Sequence, residues 1–405
     1  MRLFSVFILL IAGNAYGQIG APLAGLNATE AAQFAVGLAE FQQVESIDEG
    51  IGPLFNNQSC VACHNNAAIG GASTVTETRY MNAFQASDLL HQSSIVPSFN
   101  GFQIQDQVPP DATVVAHRKA TALFGMGLIE AIADQDIKAN VHVPKTADGV
   151  SGTPSIVNDP AAGQNGTPNI NTVGRFGWKA QDASLLEFAA DAYLNELGVT
   201  SRIAGFDKDI APSGGVTGQR NQSALLAIEP ALTGFAFDQL QDIENGGPPQ
   251  TDGHTANIDE FADFMRMLAP PPPLPLTAQA QLGQKLFTST DCVVCHRPSM
   301  TTTASNIQAL SFKNVPLYSD LLLHDMGTSL GDGIVQAAAG PTFMRTSPLW
   351  GLRFRAQNAL LHDGRAATPT AAIMAHDGEG AIVRAKFAAL PLADQAALIA
   401  FLLSI

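Results

Sequence analysis

Residues 58–66 read QSCVACHNN, and residues 290–298 read TDCVVCHRP. Each stretch holds two cysteines separated by two residues, with a histidine directly after: Cys60, Cys63 and His64, then Cys292, Cys295 and His296. The chain has four cysteines, so the two motifs use all of them. Two thiols at this spacing can reach the two vinyl groups of one haem and form thioethers. The next residue then lies beneath the ring, where its imidazole can bind the iron. A thioredoxin-like pair calls for a βαβ setting and no following histidine. A structural zinc site requires both pairs to converge as Cys₄ and leaves the histidines unexplained. Two covalent c-type haems are therefore expected, with His64 and His296 as proximal ligands.

Working outward, the lead-in to each motif is expected to be helical: Phe41 to Phe55 before the first, Ala278 to Phe287 before the second. Helical apolar spacing also marks Ser184 to Leu197 and Ala393 to Leu403, whereas strand-like alternation is scarce. These patterns predict a mainly α chain, two cytochrome c-like haem domains with long loops. Residues 269–275 read APPPPLP, a run that neither a helix nor a central strand tolerates. The expected division is 18–269 for an N-terminal haem domain with insertions, 270–276 for a proline-rich linker, and 277–405 for a C-terminal haem domain. At the start, Arg2 precedes the ten-residue apolar run Leu3 to Ala12, and Ala15-Tyr16-Gly17 places small residues for cleavage. Residues 1–17 thus read as a signal peptide, and the mature chain as soluble, exported and periplasmic.

Composition supports this reading. Of 405 residues, 46% are hydrophobic, enough for a sizeable core. Only 14% are charged, and 21 basic against 36 acidic residues leave a net charge of −15. That balance does not suit a phosphate backbone and argues against nucleic-acid binding.

Several longer segments carry a resemblance: GPLFNNQSCVACHNNAAIGG (52–71), ALFGMGLIEAI (122–132), GRFGWKAQDASLLEFAADAYLNELG (174–198), YSDLLLHDMG (318–327) and RTSPLWGLRFRAQNALLHDGRA (345–366). With them the chain resembles the bacterial dihaem cytochrome c peroxidase superfamily, in particular its dihaem oxidoreductase branch, the so-called thiol oxidoreductases. No free thiol is left for thiol exchange once haem takes all four cysteines.

The resemblance implies roles. Peroxidases of this family carry a Trp-Asp-Gly-Arg-Ala segment in the first half; Trp178-Lys179-Ala180 fills that slot, and the tryptophan is implied as an electron relay between the haems. Glu196 falls near the family's acid/base glutamate. Such a group takes a proton from one peroxide oxygen and returns it to the other. The echo His362-Asp363-Gly364-Arg365-Ala366 implies an internal duplication. Where the peroxidases place a methionine after that echo stands His376, the expected sixth ligand of the second haem, with Met374, His362 and His324 as alternatives. Arg345 and Arg365 are expected to pair with propionates. Above the first iron, the family's removable histidine is replaced by Tyr80; Tyr80, Met81, His91 or an open position are the options. His117, His142 and His254 read as loop or core histidines. Calcium is a further expected cofactor by family analogy, with Asp148-Gly149 and the Asp242/Glu244 region as oxygen donors.

The implied function is a peroxidase-like dihaem oxidoreductase. Electrons pass from the C-terminal to the N-terminal haem to reduce hydrogen peroxide or a related oxidant. The expected donor is a small redox protein, a cytochrome c or cupredoxin. Two other classes compete: a dihaem oxygenase acting with dioxygen on an apolar substrate, and a non-enzymatic electron-transfer or iron-handling cytochrome.

Overall fold

Two helix crossings organise the chain in a computed structural model that describes residues 18–45, 56–82, 112–161, 169–199, 257–355 and 360–405, with short pieces between. In the first crossing, α1 (Ala28–Phe41) lies across α3 (Asn257–Met267). In the second, α4 (Ala278–Ser289) lies across α7 (Leu392–Leu402). Between α1 and α3 in sequence, α2 (Leu185–Ala192) packs on α3 and passes into a π-helical turn, Tyr193–Leu197, closed by Gly198.

Local chemistry sets the helix starts. Asn27 accepts from the Thr29 and Glu30 amides, and Glu30 reaches back to the Asn27 amide, a reciprocal capping box that begins α1. Ser184 caps α2 and Thr277 caps α4 through their hydroxyls. The helical lead-in to the first motif is therefore Ala28–Phe41, upstream of the stretch expected from the pattern, and residues 46–55 lie outside the described residues. The expected helices before the second motif and at the C-terminus form nearly as read.

Both crossings are made close by glycine. A Cβ on Gly37 would lie 2.3 Å from the Glu260 carbonyl oxygen of α3, and one on Gly283 would lie 1.9 Å from the Ala397 carbonyl oxygen of α7. One turn further on, Phe41 stacks at 4.7 Å on Phe264, and Phe287 meets Phe401 at 5.4 Å. The sequences GLAEF (37–41) and GQKLF (283–287) thus play the same part twice.

The mainly α expectation needs correction: about 37% of the structure is helix and 16% strand. A three-stranded antiparallel sheet has β1 (Thr76–Asn82) between β2 (Gln85–Ser93) and β3 (Val114–Lys119), with Tyr80 opposite Leu89 and Val115. Hairpin-like pairs join β4 (Ser155–Asp159) to β5 (Asn169–Gly174) and β6 (Leu323–Asp325) to β7 (Phe343–Arg345). The alternation was hidden because one inward residue of β3 is Arg118. It is buried only because Asp332 neutralises it at 2.7 Å.

The larger core gathers α1, α2 and α3 with Met300, Leu317 and Trp350 from beyond the proline run; the smaller one centres on Phe287, Phe387 of α6 (Ala381–Ala388) and Phe401. The proline run itself is packed. Pro271 is buried, the Leu274 amide donates to Ser404 at 2.7 Å, and the Arg353 guanidinium donates to the Pro272 carbonyl. Among the described residues, no helix is long and apolar enough to cross a membrane.

Candidate functional site

Each Cys-x-x-Cys-His motif forms a single 3₁₀ turn, Cys60–Ala62 and Cys292–Val294, that presents its histidine to a cavity. In both, the imidazole Nδ1 lies 3.1 Å from a backbone carbonyl, Gly71 for His64 and Tyr318 for His296. A carbonyl can only accept, so Nδ1 carries the proton and Nε2 is left as a bare electron pair. Burial pushes both histidines down to about 4, which keeps them neutral, as metal ligation requires. Burial also raises all four thiols, so they are neutral at pH 7. The two cysteine pairs line separate cavities, and a Cys₄ zinc site is thereby excluded.

The His64 cavity encloses about 1190 Å³ and the His296 cavity about 1360 Å³, mouths included. A third space of about 980 Å³ lies between them. Trp178 borders all three. Its Nε1 donates to the Lys119 carbonyl at 2.7 Å, and its ring meets His362 edge-on at 6.3 Å.

In the second cavity His376 faces His296. It follows helix α5 (Pro369–Met374), its Nδ1 bonds the Ala372 carbonyl at 2.9 Å, and the two imidazole centroids are 6.4 Å apart. Two metal–nitrogen bonds of about 2 Å each, plus the half-width of each ring, fill that separation. Met374 is 44% exposed and does not line the cavity. His362 lines it but packs on Trp178, and burial pushes it down to about 4. His324 has both nitrogens engaged, Nδ1 donating to Glu379 at 2.7 Å and Nε2 to Asp320 at 2.9 Å. Burial works against its charge, but the hydrogen bonds to Asp320, Cys295 and Glu379 win and hold it well above the usual imidazole range. Ligand atoms of Cys295, Asp320 and His324 lie within 4.8 Å of one another, yet with both imidazole nitrogens donating they offer no free ligand set for a metal.

In the first cavity Glu196 reaches the wall from the π-helical turn, with Asn56 donating to its Oε2 at 2.8 Å. Its charge bears on Cys63, second to burial among the causes that raise that thiol. Neither Tyr80 nor Met81 is among the described residues lining this cavity; Tyr80 is buried in β1, and Met81 packs on Ala116 and Ile334. The side chain of His91 lies outside the described residues, as do His254, Asp242 and Glu244.

A family model described as "Di-haem oxidoreductase, putative peroxidase" matches residues 94–405. The chain belongs to this di-haem oxidoreductase family. Comparison with curated proteins gives no match. Among solved structures, it is similar to a Kuenenia stuttgartiensis hydrazine synthase, studied under xenon pressure, at 11% identity over 100% of this chain and 99% of that one, with a TM-score of 0.37. It is also similar to a MauG-like protein associated with microbial copper homeostasis, at 16% identity over 74% and 92%, with a TM-score of 0.31.

The di-haem family implies two haems, and the residues present fit them: two cavities, each with a neutral histidine and a flanking thiol pair on its wall. The two arginines expected at propionates part company. Arg345 is buried at the wall shared by the second cavity and the central space; burial, then the charge of Arg355, lowers it to about 10. Arg365 lines none of the three spaces; its side chain is 46% exposed and pairs with Asp363. Arg355 lines the same shared wall as Arg345. Sequence reading missed Arg355, although it lies in the quoted 345–366 segment, because nothing local places it on that wall. It also missed the Asp320–His324 pair, whose four-residue spacing in YSDLLLHDMG was the available signal. Asp148, an expected calcium donor, is bound to the Lys386 ammonium at 2.5 Å.

Proposed function

We propose that this di-haem oxidoreductase is an exported, periplasmic, peroxidase-like c-type enzyme with one haem attached in each half, 18–269 and 277–405. Cys60 and Cys63 would hold the first haem and Cys292 and Cys295 the second, with His64 and His296 as proximal ligands and His376 as the sixth ligand of the second. When bound, the haems supply one-electron transfer from the C-terminal to the N-terminal site and reduction of peroxide at the latter. The observation that carries the reading is Trp178, one indole that walls both motif cavities.

The chain's own residues supply the rest. Tyr318 and Gly71 carbonyls fix the tautomer of the two proximal histidines, so each Nε2 faces its cavity. The Lys119 carbonyl fixes the indole plane of Trp178. Glu196 Oε2, which accepts from Asn56, would take and return a proton in the first cavity. Arg345 and Arg355 offer guanidinium groups to propionate carboxylates. The presence of Glu196 in the first cavity favours peroxide over an oxygenase reaction on an apolar substrate. A small cytochrome c or cupredoxin is the proposed donor.

The test is optical and electron paramagnetic resonance spectroscopy of the mature protein, oxidised and half-reduced, before and after hydrogen peroxide. A high-spin haem that reacts within seconds supports peroxidase chemistry at the His64 site. Two unreactive low-spin haems overturn it in favour of electron transfer alone.

A further inference from the structure

The segment Asp320–Asp325 lies between the two histidines of the second cavity without supplying either. Its amide end is tied to the proximal motif: the Asp320 N–H donates to the Cys295 carbonyl at 2.9 Å, and His324 Nδ1 lies 3.7 Å from Cys295 Sγ. Its other end is tied to the loop that carries His376. His324 Nδ1 donates to Glu379, three residues after His376, at 2.7 Å. The opposite nitrogen donates to Asp320 at 2.9 Å. Both ring nitrogens face carboxylate oxygens, so both must donate, and the ring is an imidazolium. Glu379 is held further by the Ser151 and Gly152 amides at 3.1 and 3.2 Å. Beside it Gly378, at φ +53°, packs so closely that a Cβ would lie 2.2 Å from the Asp325 carbonyl oxygen.

We propose that His324 is a positioning residue that clamps the His376 loop to the Cys295–His296 motif and thereby holds His376 opposite His296. The clamp rests on the bis-histidine reading given above. It acts through charge-assisted hydrogen bonds, which are about twice as strong as neutral ones. Loss of the Glu379 carboxylate removes its bonds to His324, Ser151 and Gly152 and leaves the loop tied to its surroundings chiefly by the close packing of Gly378 and the bonds of Asp377 to Ser329 and Arg384. The sixth ligand then detaches more often, and an added ligand can take its place.

The test uses the two-haem protein, with attachment checked by pyridine haemochrome, and follows the spin state of the ferric C-terminal haem and its cyanide-binding rate. H376A sets the limit of full loss of the sixth ligand. E379A is expected to raise the high-spin fraction and speed cyanide binding by about tenfold or more. E379Q retains an acceptor for His324 and is expected to stay within about threefold of the parent. Should E379A fail to mature, H324Q carries the same expectation. E379A and H324Q with the parent's spectrum and cyanide rate, beside a converted H376A, overturn the clamp alone. An H376A spectrum identical to the parent's overturns the bis-histidine coordination, and the clamp with it.

Discussion

The indole N–H of Trp178 is bound to a peptide carbonyl, an acceptor that cannot take its proton, and the ring stands at the boundary of three spaces. Its structural role and the proposed electronic one separate on substitution. Trp178→Phe retains an aromatic ring but leaves the Lys119 carbonyl unpaired. A loss of roughly 1–3 kcal/mol in urea unfolding is expected, together with slower reduction of the N-terminal haem in stopped-flow mixing with a donor. An unchanged reduction rate would remove Trp178 from the relay. His362, packed against that indole, is pushed by burial from 6.5 down to about 4. The folded protein therefore refuses a proton that the unfolded chain accepts once pH drops below 6.5. The contribution is intact above 6.5 and falls by up to about 3 kcal/mol as pH decreases to about 4. His362→Gln should flatten that part of the stability profile, read as urea midpoints at pH 7 and pH 5.

At the scale of elements, the two crossed helix pairs share one device. Gly37 and Gly283 let backbones touch, and an aromatic residue one turn on fills the angle. Gly37→Ala or Gly283→Ala must push α1 off α3 or α4 off α7, at a cost of roughly 1–3 kcal/mol each. Thermal unfolding should show a lower midpoint for either variant, and a midpoint equal to the parent's would mean that the crossing relaxes freely. The recurrence of the device supports an internal duplication more directly than the HDGRA echo, because the repeated residues occupy matching places in two packed pairs. The π-helical turn at Tyr193–Leu197 has no counterpart among the described elements of the second half, and it is the turn that carries Glu196.

At the scale of the molecule, one carboxylate ties together stretches far apart in sequence. Asp332 sits between Arg118 of β3 at 2.7 Å and Lys179, next to Trp178, at 2.9 Å, with all three side chains at most 2% exposed. Burial opposes its charge, but the two cations outweigh burial and hold it at about 2. Its stabilisation is present above the ordinary carboxylate range and is lost as pH falls from about 4 towards 2. Asp332→Asn strands two buried cations and should cost about 3–5 kcal/mol, measured by urea unfolding at pH 7. The bipartite plan also predicts that replacing Cys60 and Cys63 with alanine reduces the pyridine haemochrome count from two haems per chain to one. A count of two would reject attachment at the first motif.

Much of this was open to reading from the residues alone. The Cys-x-x-Cys-His spacing is local, and local geometry alone places a histidine beside two thiols. Helix spacing over 278–287 and 393–403 is local as well, and helices form there at 278–289 and 392–402. What stayed hidden depends on partners remote in sequence. β3 escaped notice because its inward Arg118 is made tolerable by Asp332, 214 residues away. His376 rather than Met374 faces His296 because the chain turns just beyond α5, which leaves Met374 partly exposed. Arg355 lines the second cavity and Arg365 is exposed, although both lie in one quoted segment. The two copies of the Cys-x-x-Cys-His motif and the helices beside the second were legible locally, since motif spacing and helical period are carried within a few residues. Only the tertiary structure decided which histidines, arginines and carboxylates meet, because burial and charge compensation are set by whatever the rest of the chain brings alongside.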